Sequence, residues 1–165
     1  MDPGHFRRLA CYNRWANRRL YAACGSLAPG AYFAPRSGFF PSLHKTLNHI
    51  LAADRIWLGR IEGRPSAVLA LDQILYPDFP TLAAAREDED ERIIRLVEDL
   101  TPQRLGEDLA YRTMAGEPQT TPLHLVLTHV FNHQTHHRGQ AHAMLSGTDA
   151  APPPLDLILF LREAG

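Results

Sequence analysis

The sequence predicts an all-α protein: a four-helix bundle with long crossover connections, a short hairpin before the fourth helix and a short C-terminal helix. Three observations predict it. Four long stretches repeat apolar residues at three-and-four spacing. Each begins at a capping residue or a proline, and the stops are mostly Gly or Pro. The links between them are long, so neighbours in sequence need not be neighbours in space. At 165 residues and 45% hydrophobic, the chain can bury a sizeable core as one domain, 1–165.

Asp2-Pro3 opens the first helix, which runs to about Cys24 with Phe6, Leu9, Asn13, Ala16, Leu20 and Ala23 on one stripe. Asn13 is the polar member of that stripe, either bonded inside the core or facing a site. Gly25–Pro41 is a connection with aromatic insertions at Tyr32, Phe33, Phe39 and Phe40. Ser42 caps the second helix, which Gly63 and Pro65 stop. Its polar arc gathers His44, Lys45, Asn48, Arg55, Gly59 and Glu62, while His49 and Asp54 fall on the apolar side. Asp54 there can orient an imidazole or pair with a core Arg or Trp N–H.

A further link reaches Pro80, and Thr81 is the expected cap of the third helix, ending near Leu100. Its acidic run Glu87-Asp88-Glu89-Asp90-Glu91 reads as a solvated face, with Glu89 and Asp90 nearest the inner arc. Alternation at Leu109, Tyr111 and Thr113, a turn at Met114–Gly116 and the segment Glu117–Thr121 suggest the hairpin. Thr121 and Pro122 then open the fourth long helix, Leu123–Leu145, with Gly147 just past its end. After the prolines of Ala150–Pro154, Asp156 starts the short apolar last helix.

Composition excludes several functions. A net charge of −1 gives no electrostatic case for nucleic acid. Arg7, Arg8, Arg14, Arg18 and Arg19 are interleaved with apolar positions, as on a solvated helix face. Cys11 and Cys24 share a helix at a separation of roughly 20 Å, too far to bridge. No charged-then-apolar leader and no apolar run near 18 residues is present, so no membrane association and a cytoplasmic location are expected.

Six of the nine histidines lie in the fourth long helix. His133 and His137 are four residues apart and fall inside its apolar stripe, so their rings point the same way from adjacent turns. Buried without partners, such rings strand polar nitrogens at roughly 1–3 kcal/mol each. A hydrogen-bonded core role and a shared cation both remove that cost. His124 and His142 point to the far side, and His129 and His136 to the flank. With His49 from the second helix, His133 and His137 would supply three neutral nitrogen ligands and leave a coordination position free, as at a catalytic site. Asn48, Asn132 and Gln140 are candidate outer groups, with Tyr12 and Asp54 behind them.

His133-Gln134-Thr135-His136-His137 has the spacing of a zinc-peptidase helix, yet Gln134 stands where that motif needs its glutamate base. No Glu-x-x-His pair, phosphate loop or nucleophile elbow occurs, and neither cysteine has activating neighbours.

HVFNHQTHHRGQ at His129–Gln140, LNHILAADRIW at Leu47–Trp57 and YNRWANRRL at Tyr12–Leu20 resemble the DinB/YfiT-like bundle proteins, a family distinct from the translesion polymerase of similar name. The resemblance spans nearly the whole chain. It implies a four-helix bundle, often a homodimer, carrying Ni²⁺ or Zn²⁺ on a triad that maps onto His49, His133 and His137. Some relatives transfer low-molecular-weight thiols such as bacillithiol or mycothiol, and one is a maleylpyruvate isomerase. The expectation is therefore a metal-dependent transferase acting on a small electrophile, with a low-molecular-weight thiol as co-substrate. A metal-dependent hydrolase and a non-catalytic stress-response module with a structural ion are the alternatives.

Overall fold

In the computed structural model of the protein, Asp2 accepts a hydrogen bond from the Gly4 N–H at 2.8 Å and starts helix α1, Pro3–Gly25, with Pro3 in the first turn. The structure describes residues 2–64 and 66–164; Pro65, one of the two expected stops of the second long helix, lies outside them. A short helix α2, Pro29–Phe33, interrupts the first connection. Ser42 accepts from Lys45 N–H at 3.1 Å and caps α3, Leu43–Ile61. The cap of α4, Phe79–Glu98, is Asp78 and not Thr81: its carboxylate accepts from Thr81 N–H. Pro80 therefore lies inside the first turn, where its missing N–H costs nothing.

A second short helix, α5, Pro102–Gly106, precedes the hairpin of β1, Asp108–Arg112, and β2, Pro118–Pro122. The strands pair antiparallel with Tyr111 opposite Gln119, around a turn in which Gly116 takes φ +84°. Helix α6, Leu123–Leu145, begins directly after β2. Thr121 is consequently a strand residue paired with Leu109, not a cap. The last helix is α7, Leu157–Ala164.

The four long helices are α1, α3, α4 and α6. Helix α1 packs on α4 and α6, and α3 packs on the same two, so α1 and α3 stand across one diagonal and α4 and α6 across the other. The connections from α1 to α3 and from α4 to α6 both cross a diagonal, which is why they are long.

The core has two apolar halves. One is built on Phe6, Leu58, Ile93, Leu127 and Phe131, the other on Leu20, Leu47, Leu51, Leu82 and Leu145. Burial of each such side chain stabilises by about 1.5–3 kcal/mol. Between the halves runs a belt of buried polar groups, one or two from each helix: Asn13 and Asn17, Asp54, Arg86 and Asp90, Gln134 and Arg138. Arg86 Nη1 donates to Asp54 Oδ2 at 2.5 Å, and Gln134 Nε2 donates to the same oxygen. Asn13 and Asn17 each donate to Asp90 and accept from Arg138. Asn13 and Asp54 thus take the structural roles among those open to them. Of the acidic run, Glu87 and Asp88 are exposed, while Glu89 and Asp90 are buried.

The polar arc expected on α3 is buried in part. His44, Asn48 and Gly59 lie beneath neighbouring chain. Asn48 Oδ1 accepts from the backbone N–H groups of Leu75 and Tyr76, and its Nδ2 donates to the Tyr76 carbonyl. A Cβ at Gly59 would stand 2.8 Å from the Arg64 carbonyl oxygen, so only glycine lets the chain turn back so tightly.

Candidate metal centre

Because α3 packs on α6, a ring on the facing side of α3 meets rings one turn apart on α6. His49 supplies the first, and His133 and His137, at i and i+4, supply the others. His49 and His137 are buried and His133 is half-buried. Nε2 of His49 stands 3.2 Å from Nε2 of His133 and 3.1 Å from Nε2 of His137. Phe40 stacks on the His49 ring at a centroid distance of 4.1 Å.

The outer nitrogens fix what the inner ones can do. His49 Nδ1 lies 2.8 Å from the Leu71 carbonyl oxygen, which can only accept, so Nδ1 carries the proton and Nε2 a lone pair. His137 Nδ1 donates to Gln140 Oε1 at 2.8 Å, with the same result. Two lone pairs therefore face each other across 3.1 Å with no hydrogen between them. A cation resolves that arrangement. A proton is a poor candidate at neutral pH. Burial, joined by the neighbouring imidazoles, lowers His133 to about 3. Burial lowers His137 to about 4 despite its bond to Gln140, and lowers His49 in the same direction.

The donor set fits a divalent ion. Nitrogens bound at tetrahedral angles about 2.0–2.1 Å from one ion lie about 3.3 Å apart, close to the separations found. The three ligand atoms fall within 4.8 Å of one another. The rings also open onto a pocket of about 590 Å³, walled by Phe39, Phe40, Pro41 and Leu71, with Lys45 and Asp72 in its lining.

Of the outer groups expected from the sequence, Gln140 is in contact, and its Nε2 reaches His136 at 3.2 Å. The others are elsewhere. Asn132 is exposed, Asn48 holds the link after α3, Asp54 is in the belt, and Tyr12 donates to the Leu155 carbonyl near α7. His129 packs edge-on to Trp57, a flank position as expected. His124 and His142 are half-buried and not solvent-facing, each bonded to a backbone carbonyl, Leu105 and Pro153. Sequence reasoning missed the Leu71 carbonyl, which leaves no trace in residue identity. It also missed Phe40, noted only as an aromatic insertion.

Fold and site together define the class: a four-helix bundle whose facing helices present three imidazoles, able to take a divalent cation, to an open pocket. The chain belongs to the DinB family, whose model matches residues 3–164. It is 30% identical over 160 residues to Protein DinB of Bacillus subtilis (strain 168), with 92% of each chain covered. It is also similar in fold to the crystal structure of a DinB-like protein from Bacillus cereus ATCC 10987. That match has a TM-score of 0.65 at 18% identity and covers 85% of this chain and 90% of the other.

Proposed function

We propose that this protein is a metal-dependent enzyme that transfers a thiol to a small electrophile, with His49, His133 and His137 as ligands to Ni²⁺ or Zn²⁺. The observation that carries the reading is the pair of opposed Nε2 lone pairs, 3.1 Å apart and held in place by the Leu71 carbonyl and Gln140. A divalent ion there would supply Lewis acidity, holding a thiol as its thiolate near neutral pH. His49 and His137 keep their tautomers through their outer bonds, so the ligands need no reorientation when the site is loaded. Phe39, Phe40 and Leu71 give the electrophile an apolar wall and limit water around the reacting atoms. An ion kept only for structure is ordinarily closed in by four protein ligands, whereas this triad faces open space. A second reading, hydrolysis, draws support from Asp72, a carboxylate in the same lining that can take a proton from water. The reading includes a small-molecule substrate and a homodimer, the latter to be checked by light scattering.

The test is metal analysis of protein purified without a nickel column, beside His49→Ala and His137→Ala. Wild type should carry a divalent ion that both variants lose while remaining folded by circular dichroism. Wild-type protein that stays metal-free under replete conditions would overturn the reading. A thiol and electrophile panel then separates thiol transfer from hydrolysis, and turnover of neither, with chelation merely unfolding the chain, favours the structural module.

A further inference from the structure

The edge of the bundle between α1 and α4 lies opposite the α3–α6 edge that carries the imidazoles. It holds a cleft of about 460 Å³. Ala22, Phe79 and Ala83 give it apolar walls, Tyr21 reaches it from the neighbouring apolar half, and Arg86 and Asp90 reach it from the polar belt. Arg86 Nη2 stands 3.1 Å from Asp90 Oδ1 as an ion pair. Two other buried groups of the lining, the Tyr21 hydroxyl and Arg86 Nε, have neither a hydrogen bond nor an ion pair among the described residues. Tyr21 is 7% exposed and Arg86 2%. The contrast with the rest of the belt is sharp. Asp54, Asp90, Gln134 and Arg138 are bonded to one another or to the two asparagines. A buried donor left unmatched loses its hydration with no return, so two of them beside one cleft call for an acceptor from outside the fold.

Charge selects the kind of acceptor. Arg86 is paired with both Asp54 and Asp90, and Asp90 itself lines the cleft. An anion would have to compete with that pairing and would meet the Asp90 carboxylate. A neutral oxygen would do neither.

We propose that this cleft is a second ligand site, taking a small uncharged molecule with an apolar body and a hydrogen-bonding oxygen, such as a ketone or amide. Its body lies against Phe79 and Ala83, and its oxygen accepts from Arg86 Nε and the Tyr21 hydroxyl once the side chains that cover these two donors give way. The site is separate from the imidazole triad and does not depend on its chemistry. A fixed water on the same two donors is the competing arrangement.

The test is titration of full-length, methyl-labelled protein with cyclohexanone, with cyclohexanecarboxylate in parallel, followed by NMR. Cyclohexanone should shift the Ala22 and Ala83 methyl signals saturably and leave the imidazole signals in place, and the carboxylate should bind more weakly. Tyr21→Phe should weaken binding about tenfold, the worth of one hydrogen bond. It should not lower the Tm of the ligand-free protein, because no partner within the fold is lost. Ala83→Phe should fill the cleft and abolish binding. The proposal fails if wild type shows no saturable shift, if the carboxylate binds as well, or if Tyr21→Phe binds unchanged. A lower Tm for Tyr21→Phe also overturns it, since the hydroxyl then has a fixed partner such as water.

Discussion

The bundle buries polar groups in two places and treats them oppositely. In the belt, carboxylates, guanidinium groups and amides from all four long helices meet across the middle of the core, and nearly every group finds its match on another helix. At the triad, three imidazoles meet with their inner nitrogens toward one another, and those of His49 and His137 have no hydrogen to give. The belt is finished by the fold itself. The fold leaves the triad unfinished, with room for a cation. Buried polarity therefore points to a candidate site here only where the surrounding protein cannot complete it.

Breaking the belt should give the largest effect. Asp54→Ala leaves the Arg86 guanidinium buried beside a lost partner and should cost roughly 3–5 kcal/mol of stability, read by chemical denaturation. His137→Ala under the same measurement, without metal, should cost far less, since it relieves one pair of opposed nitrogens. Equal losses would erase the distinction. Next comes Gln140→Ala, which removes the acceptor for His137 Nδ1. It should lower metal affinity by about 10–100-fold with little change in metal-free stability, as read by competition with a chromophoric chelator.

Acid should act more gently than on an exposed histidine site. Protons displace the cation by charging the rings, so affinity falls as pH falls, and burial delays that competition. Ordinary imidazole competes from about 6.5; burial lowers all three rings here, so the fall in affinity should begin below that value, by metal titration across pH. Loss beginning at the ordinary value would mean that the rings are not shielded. The smallest effect is expected at the surface. Arg19→Ala breaks a solvent-washed pair with Glu163 and should change stability by under about 1 kcal/mol, in thermal melts.

The four long helices were legible in the sequence because apolar periodicity is set by the helix itself. The triad was legible for a related reason: His133 and His137 share a face by spacing alone, and His49 sits on the apolar side of its helix. What depended on another segment was not legible. His44 and Asn48 follow the polar arc of α3, yet neighbouring chain covers both, and Asn48 pays for this by bonding the backbone of Leu75 and Tyr76. Arg86 borders the acidic run Glu87–Glu91 and carried no sign of burial, because its pairing with Asp54 becomes visible only when α3 and α4 pack. Gln134 was marked as the wrong residue for a peptidase. Its actual use is to donate to Asp54 in the core.

The long separation of the triad in sequence has a consequence in time. His49 and its partners on α6 are 84 and 88 residues apart, so during synthesis the first ring leaves the ribosome well before the other two exist. A nascent chain that ends before α6 offers a passing ion one imidazole, no better than any other histidine. On the proposed metal reading, capture would wait until the last long helix has docked, and a loaded site would certify that the chain was made through it.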